Sequence, residues 1–254
     1  MNTEAHKKGM LEMNRLFQNE RCVICHEELS VNLGWVQLFS QESNTHLCKN
    51  CKKLLVEITG ENCIICSRSF ENGEYSYRRG DICFDCIRWE QDQEWQGILD
   101  KNVSLFKYNS FIKETLATFK YRGDYVIARA FADYMKLKLK GMKFDVLVPI
   151  PLSQERLYER GFNQAEALIK EAGFIPTPLL TRIHTEKQSK KSRSDRIHLP
   201  QVFRLNSELI SPAYQNILLL DDIYTTGSTL RHAAKCLKSV PGIGTVHSLT
   251  LARG

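Results

Sequence analysis

Two adjacent carboxylates and a hydroxyl-rich turn make the segment from Asn216 to Leu230 the strongest candidate for chemistry. Its sequence is N-I-L-L-L-D-D-I-Y-T-T-G-S-T-L. Asp221 and Asp222 can accept hydrogen bonds from vicinal hydroxyls, whereas backbone N–H groups at a helix N-terminus favour a phosphate. This combination predicts a site for a ribose 5-phosphate. The turn residues that we assign to the 5-phosphate are Thr225, Thr226, Gly227, Ser228 and Thr229.

A buried strand and a helix must hold these groups in place. Ile217 to Leu220 is an unalternated apolar run, which is typical of a strand buried on both faces of a parallel sheet. The acids follow it, at the end of the strand where open α/β sheets bind their ligands. Apolar residues repeat at helical spacing from Leu230 to Leu237, and Gly227 can adopt the left-handed backbone of a tight turn. Neither a P-loop nor a dinucleotide G-x-G-x-x-G motif occurs in this chain.

The same segment resembles the phosphoribosyl-pyrophosphate motif of type I phosphoribosyltransferases. The resemblance rests on Ile-Leu-Leu-Leu-Asp-Asp-Ile-Tyr-Thr-Thr-Gly-Ser-Thr, residues 217–229. In that family the acidic pair binds the ribose hydroxyls and the turn binds the 5-phosphate. The resemblance implies an α/β fold with a type I phosphoribosyltransferase-like (Rossmann-like) parallel sheet, and Mg²⁺ between pyrophosphate and ribose oxygens. The alternative is an ordinary strand, turn and helix without a ligand.

A second strand end carries basic residues. Phe144 to Ile150 is apolar except for Asp145 and is predicted to be a strand that stops at Pro149-Ile150-Pro151, and Arg156 and Arg160 follow. Such an arrangement can hold a second anion, as a pyrophosphate would require. We therefore add these five residues, Pro149, Ile150, Pro151, Arg156 and Arg160, to the predicted substrate-binding set.

Two further stretches resemble the ComF competence proteins, a phosphoribosyltransferase-like family with an N-terminal cysteine module. They are P-I-P-L with R-L-Y-E-R-G-F-N-Q-A, residues 149–152 and 156–165, and K-Y-R-G-D, residues 120–124. The resemblance spans the chain from Cys22 to Leu251. It implies a role in natural transformation, with incoming single-stranded DNA and a competence helicase as partners.

The segment from Thr181 to Arg204 has no periodic apolar face, and residues 182–196 hold six basic and two acidic residues. This makeup is typical of a mobile surface loop. In type I phosphoribosyltransferases a loop at this point closes over the substrate, and the resemblance assigns Arg193 to the catalytic set together with Asp221 and Asp222. Where the family has an Asn and a Gly-Ala-Phe, this chain has His198 and Gln201-Val202-Phe203. A solvated loop without a closing role is the alternative.

Eight of the nine cysteines form four C-x-x-C pairs. Two such pairs can complete a closed tetrahedral zinc site, so the spacing predicts two structural zinc sites without an open position for catalysis. Disulfides and redox dithiols are the alternatives. Sequential pairing, as in zinc ribbons, and an interleaved cross-brace fit the spacing equally well. The predicted ligands are Cys22, Cys25, Cys48, Cys51, Cys63, Cys66, Cys83 and Cys86.

The charged residues, like the paired cysteines, distinguish the first hundred residues from the remainder of the chain. Residues 1–100 carry 11 Lys and Arg against 16 Asp and Glu, a net of −5, whereas the remainder has a net of +11. A domain this basic usually faces an anion such as phosphate, pyrophosphate or nucleic acid. We expect a zinc-binding module over residues 1–97 and a phosphoribosyltransferase-like domain over residues 98–254. We also expect Thr245 to Ala252 to form a last strand near the sheet edge.

No apolar run approaches the length of a membrane span, and Met1 to Glu20 lacks an apolar signal core. We therefore expect a soluble cytoplasmic protein. Two functions remain open. One is a ComF-like protein of DNA uptake that binds phosphoribosyl pyrophosphate and single-stranded DNA. The other is an active phosphoribosyltransferase acting on a nucleobase or amine that the sequence does not identify.

Overall fold

The computed structural model describes residues 21–29, 46–70, 78–183 and 202–254. The chain divides into two compact units, Met1–Leu54 and Leu55–Gly254. The domain boundary after residue 97 stays a prediction about the organisation of the sequence. Arg193, most of the predicted closing loop and the segment Met1 to Glu20 lie outside the described residues.

The larger unit contains both helices and strands. In chain order the helices are α1 (Lys49–Leu54, in the smaller unit), α2 (Phe84–Gln91), α3 (Ser110–Tyr121), α4 (Ile127–Lys140), α5 (Gln154–Arg160), α6 (Gln164–Glu171) and α7 (Ser228–Lys238). The strands are β1 (Arg78–Arg79), β2 (Ile82–Cys83), β3 (Lys101–Lys107), β4 (Val146–Pro149), β5 (Leu180–Arg182), β6 (Phe203–Leu205), β7 (Asn216–Tyr224) and β8 (Thr245–Arg253).

Four of these strands form the central sheet, in the order β3-β8-β7-β4. Each neighbouring pair is parallel. Ile217 to Leu220 of β7 are all buried, and Ile217 and Leu219 belong to one core cluster with residues of α7, β5 and β6. The predicted α/β fold class with a parallel sheet is therefore confirmed, and four-cysteine groups lie near the N-terminus as expected.

The outer edge of β3 is covered by the segment that precedes it in the chain. Ile58 N donates to Leu105 O at 2.9 Å, and Lys107 N donates to Val56 O at 2.8 Å. Farther along the strand, Asn102 N donates to the carbonyl oxygen of Ile65 at 2.7 Å. Covering an edge in this way satisfies backbone groups that would otherwise pair with another chain.

The last strand, β8, lies between β3 and β7 and not near the edge where the sequence led us to expect it. Its polar residues Ser248 and Thr250 are completely buried and bond to Asn102 and Ser104 of β3. Polar residues in a strand normally indicate an exposed face, and here that signal misleads because the partners are buried polar groups of the adjacent strand. Within the described residues, no helix combines the length and the apolar character needed to cross a bilayer.

Candidate functional site

The acidic pair lies inside β7 and not beyond its end. The sequence predicted that the strand stops at Leu220, but the ladder to β8 continues as far as Tyr224, which pairs with Arg253. Consecutive residues of a strand point to opposite faces, so Asp221 and Asp222 leave β7 on different sides of the sheet. A ligand that contacts both carboxylates must therefore lie across the carboxyl-terminal edge of the strand.

Asp221 is a half-buried carboxylate with a perturbed acidity. Burial and the charge of Asp222 raise the pKa of Asp221 to about 7. The Asp222 N–H, which donates to Asp221 Oδ1 at 2.9 Å, and the charges of Lys120 and Arg182 act in the opposite direction. A ligand that donates hydrogen bonds to Asp221, or brings a cation to it, would favour the ionised form.

Asp222 is buried and forms an ion pair with Lys120, the penultimate residue of α3. Lys120 Nζ lies 2.7 Å from Asp222 Oδ2, and the two side chains are 16% and 10% exposed. A hydroxyl group that reaches Asp222 must share the carboxylate with this ammonium or displace it. The sequence included Lys120 only within K-Y-R-G-D, and nothing in that motif indicated that the lysine would meet a strand about a hundred residues later.

Gly227 determines the shape of the turn between β7 and α7. Its φ of +79° lies in the left-handed region, as the sequence predicted. A Cβ at this position would lie 2.1 Å from Tyr224 Oη and 2.4 Å from Arg231 Nη1, so the space beneath the turn is filled. Gly227 also supplies no side chain to cap α7, which begins at Ser228. Thr225 and Thr229 are exposed in this turn, whereas Ser228 is buried.

The second predicted strand end lies beside the first. Pro149 of β4 pairs with Leu220 of β7, and Ile150 N donates to Leu220 O at 2.9 Å. The segment from Pro149 to Pro151 consequently reaches the same edge of the sheet as the acids. Asn163 holds it there, because its Nδ2 donates to Ile150 O at 3.0 Å while its Oδ1 caps α6.

The two predicted arginines lie on α5. Arg156 is exposed, whereas Arg160 is half-buried and donates to Gln164 Oε1 at 2.9 Å. Arg160 also lies over the ring of Tyr121, 5.7 Å from its centroid. The helix that follows Pro151 thus carries one exposed cation and one that is held by neighbouring side chains.

Arg182 on β5 is a cation that the sequence did not single out as a ligand. Burial and the charges of Arg156 and Arg160 lower its pKa, whereas the charge of Asp221 raises it. Arg182 is therefore close enough to the arginines of α5 and to the acid of β7 for their charges to affect it. The only sequence signal was its position at the start of the predicted loop, whose two ends the structure joins as the antiparallel pair β5–β6.

The eight paired cysteines form two groups, which we call the first cysteine group and the second cysteine group. The sulfur atoms within each group lie within 4.8 Å of one another. The pairing is sequential, so the ribbon alternative is correct and the cross-brace is wrong. The first group contains Cys22, Cys25, Cys48 and Cys51, and the second contains Cys63, Cys66, Cys83 and Cys86.

Both groups have a donor set that fits zinc. The Sγ atoms of Cys25 and Cys48, and those of Cys66 and Cys83, are 3.6 Å apart. These separations are too long for a disulfide of about 2.05 Å and close to the spacing of thiolates around a tetrahedral ion with Zn–S bonds of about 2.3 Å. Each group could therefore hold one zinc ion, with no position left open for a substrate.

The first C-x-x-C pair of each group has the same backbone hydrogen bond and the same turn conformation. Cys22 N donates to Glu27 O and Cys63 N donates to Arg68 O, both at 2.8 Å. The residue after the second cysteine has a positive φ in both cases, 62° at His26 and 59° at Ser67. This turn directs the two thiols of one C-x-x-C pair toward one point.

Comparison with curated proteins gives three relatives over most of the chain. The chain is 37% identical over 235 residues to Competence protein ComFC of Bacillus subtilis (strain 168), covering 91% of this chain and 94% of the relative. It is 32% identical to Competence protein ComFC of Streptococcus pneumoniae, covering 92% and 100%. It is 26% identical to Competence protein F of Haemophilus influenzae, covering 93% and 98%.

Comparison with family models and solved structures adds less. No protein-family model matches the chain. A hypoxanthine phosphoribosyltransferase from Staphylococcus aureus is similar over 50% of this chain and 62% of its own, with 16% identity and a TM-score of 0.32.

Proposed function

Because the chain belongs to the ComFC family of competence proteins, we propose that it acts in competence by binding phosphoribosyl pyrophosphate at the carboxyl-terminal edge of its sheet. The observation that carries this proposal is the arrangement along β7 and α7. Two acids, a left-handed glycine and the N-terminus of α7 follow one another within nine residues. A sugar phosphate presents hydroxyls, which carboxylates accept, and an anion, which a helix N-terminus favours.

The acids bind the ribose and the turn binds its 5-phosphate. Ribose hydroxyls lying across the strand edge donate to Asp221 on one side and Asp222 on the other. The backbone N–H groups at the start of α7, with the hydroxyls of Thr225 and Thr229, meet the phosphate. In this role the carboxylates orient the sugar and do not attack it.

The basic groups around the edge accept the pyrophosphate. Arg156 and Arg160 lie on the helix after Pro151, and Arg182 interacts electrostatically with both. Three cations at one strand end offset the charge of a pyrophosphate, which leaves as an anion when the bond to ribose C1 breaks. Arg193, outside the described residues, belongs to the same proposal as a residue of the closing loop.

Mg²⁺ fits this site because Asp221 offers an oxygen ligand of the kind that it prefers. When bound, Mg²⁺ neutralises charge on pyrophosphate and ribose oxygens. Zinc fits the two cysteine groups, where it has a structural role. Eight closely spaced thiols without disulfide geometry suit a reducing compartment, so our proposal places the protein in the cytoplasm.

We also propose single-stranded DNA and a competence helicase as partners. The net charge of +11 beyond residue 100 favours a phosphate backbone. Tyr121 and Tyr108 are exposed by 74% and 40% and can stack on bases, whereas Tyr224 is 2% exposed and cannot. The helicase follows from the family's role in DNA uptake.

An active phosphoribosyltransferase is the second candidate. The cations around Pro151 that bind a pyrophosphate would also stabilise it as a leaving group, and a nucleobase or amine would attack ribose C1. Release of pyrophosphate across a panel of nucleobases and amines separates this reaction from binding alone.

Isothermal titration with phosphoribosyl pyrophosphate tests the binding site. We expect Mg²⁺-dependent binding by the wild type and a loss of at least about tenfold in the double variant Asp221→Ala with Asp222→Ala, since each carboxylate accepts a hydrogen bond. Asp133→Ala, an exposed aspartate of α4, is the matched control and should bind as the wild type does. Equal affinity of wild type and double variant, or no binding by the wild type, would overturn the assignment.

A further inference from the structure

A helix of the second cysteine group contacts the turn between β7 and α7 directly. Helix α2 carries the thiol of Cys86 in its first turn and the indole of Trp89 one turn later. Trp89 is 5% exposed, and its Nε1 donates to Thr226 O at 2.9 Å. The acceptor is a backbone carbonyl oxygen of the turn, so the bond does not involve the hydroxyl of Thr226.

A buried arginine fills the space between that helix and the turn. Arg231 is completely buried, its Nη1 donates to Tyr224 Oη at 2.5 Å, and its guanidinium lies 4.8 Å from the centroid of a Trp89 ring. The same two polar atoms would collide with a Cβ at Gly227, so the Arg231–Tyr224 pair supports the underside of the turn. Arg231 Nη2 also lies 3.7 Å from Glu90 Oε1, the residue after Trp89.

The guanidinium of Arg231 is only partly satisfied by hydrogen bonds. Its Nε and Nη2 find no hydrogen-bond acceptor among the residues that the structure describes. A cation behind Gly227, in surroundings from which water is excluded, adds to the positive potential at the start of α7. This potential favours an anion in front of the turn.

A second contact joins the second cysteine group to Tyr224. Arg253, which is 6% exposed, donates from Nε to Cys66 Sγ at 3.4 Å and from Nη1 to Tyr224 O at 3.3 Å. Its guanidinium also lies 4.8 Å from the centroid of the Tyr224 ring. Both the side chain and the backbone of Tyr224 are thus held by groups that contact the second cysteine group or its helix.

We propose that the second cysteine group positions the phosphate-binding turn, and that metal in this group raises the affinity of the turn for the 5-phosphate. Trp89, Arg231 and Tyr224 are the positioning residues. The inference rests on the proposed function only for the identity of the ligand, because the contacts themselves lie within the protein. A metal would join the thiols of Cys63 and Cys66 to those of Cys83 and Cys86 at the start of α2. Without it α2 is no longer tied to the Cys63–Cys66 turn, and a displaced α2 withdraws the hydrogen bond to Thr226.

Trp89→Phe tests the contact while leaving the cysteines untouched. The variant keeps an aromatic ring and removes the donor to Thr226 O. Trp95→Phe is the matched control, since Trp95 is 2% exposed and packs on Trp89, but its Nε1 has no acceptor in the described part of the chain. Two readouts are needed: amide hydrogen exchange of the peptide spanning residues 224–230, and titration with phosphoribosyl pyrophosphate and Mg²⁺.

We expect faster exchange of the turn in Trp89→Phe and about fivefold weaker binding, the effect of one lost hydrogen bond. Trp95→Phe should match the wild type in both measurements. Unchanged exchange in Trp89→Phe, or faster exchange with unchanged affinity, overturns the inference. If the wild type itself does not bind the ligand, the proposed function fails, and the exchange data still decide whether α2 positions the turn.

Substitution of the cysteines tests the metal. Cys63→Ser in the second group should lower zinc content by one, accelerate exchange of residues 224–230 and weaken binding by about tenfold or more, because several contacts are lost together. Cys25→Ser in the first group should also lower zinc content by one and leave the turn and its affinity unchanged. Equal effects of the two substitutions would overturn the inference, and Trp89→Phe decides the matter if Cys63→Ser does not fold.

Discussion

Lys120 Nζ on α3 lies 2.7 Å from Asp222 Oδ2 on β7, so the acid that we assign to a ribose hydroxyl is already paired with a cation. The two carboxylates of the motif consequently differ. Asp222 has a partner that ligand binding must rearrange, whereas Asp221 is half-buried beside it with a pKa raised to about 7.

The Lys120–Asp222 pair should show strong energetic coupling. We expect the variants Lys120→Met and Asp222→Asn each to destabilise the protein, because each leaves one buried charge without its partner, and the double variant to be less destabilised than their sum. The coupling energy should be about 1–3 kcal/mol in urea unfolding. The exposed pair Lys170–Glu166, 3.4 Å apart on α6, is the control and should couple by no more than about 0.5 kcal/mol. Equal coupling in the two pairs would contradict this account.

Asp221 should make stability fall as pH rises. Its pKa is raised from 3.8 to about 7 in the folded state, so between these values the folded protein holds a proton that the unfolded chain releases. The free energy of unfolding should therefore decrease from pH 4 to pH 7, by on the order of 3 kcal/mol from this group. Asp221→Asn should match the wild type near pH 4 and exceed its stability at pH 8.

Asp145 is the control, because its contribution to the free energy of unfolding should change with pH in the opposite direction. Its carboxylate accepts hydrogen bonds from the backbone N–H groups of Asn216 and Gln215, which lower its pKa. Its contribution to stability is thus present above the unfolded pKa and lost as pH falls. If Asp145→Asn and Asp221→Asn changed the pH profile of chemical denaturation in the same direction, the burial argument for Asp221 would be wrong.

Gly227→Ala should disrupt the turn. The new methyl group would meet Tyr224 Oη and the Arg231 guanidinium in addition to the strain of a positive φ. Gly173→Ala separates these causes, because Gly173 has a φ of +82° but nothing within 4 Å of its hypothetical Cβ. We expect Gly173→Ala to lose about 1–2 kcal/mol in thermal unfolding and Gly227→Ala to lose more, with no detectable binding of the ribose phosphate. Similar losses in both variants would argue that the space beneath the turn is not filled.

Native mass spectrometry should find two zinc ions per chain, one for each closed four-thiolate group. Cys236→Ser is the control, because Cys236 is buried on α7 outside both groups and its variant should keep both ions. Chelation at neutral pH should lower the unfolding temperature of the wild type. A count of one or none in freshly purified protein would refute the prediction for at least one group.

Binding of single-stranded DNA should depend steeply on salt if charge carries it. The logarithm of the affinity should fall linearly with the logarithm of salt concentration, with a slope of about −0.7 per phosphate neutralised. Tyr121→Ala should cost about 1–3 kcal/mol through lost base stacking. A flat salt profile in fluorescence anisotropy would rule out a phosphate-backbone interface.

The amino-acid sequence by itself determined the class of fold and the groups that matter most. An unbroken apolar run at Ile217 to Leu220 indicated a buried parallel strand, and the structure buries all four residues. Gly227 was expected in a left-handed turn and has a φ of +79°. These features are local, because they depend on side-chain types and backbone freedom within a few residues.

Only the tertiary structure decided how those groups are partnered. The spacing of the C-x-x-C pairs permits ribbons or a cross-brace, and packing in three dimensions selects the ribbons. Lys120 meets Asp222 about a hundred residues away in the chain, and Arg231 lies completely buried between Tyr224 and Trp89. Charged and polar residues are buried only where distant segments supply their partners, and a pattern of neighbours along the chain carries no information about those segments.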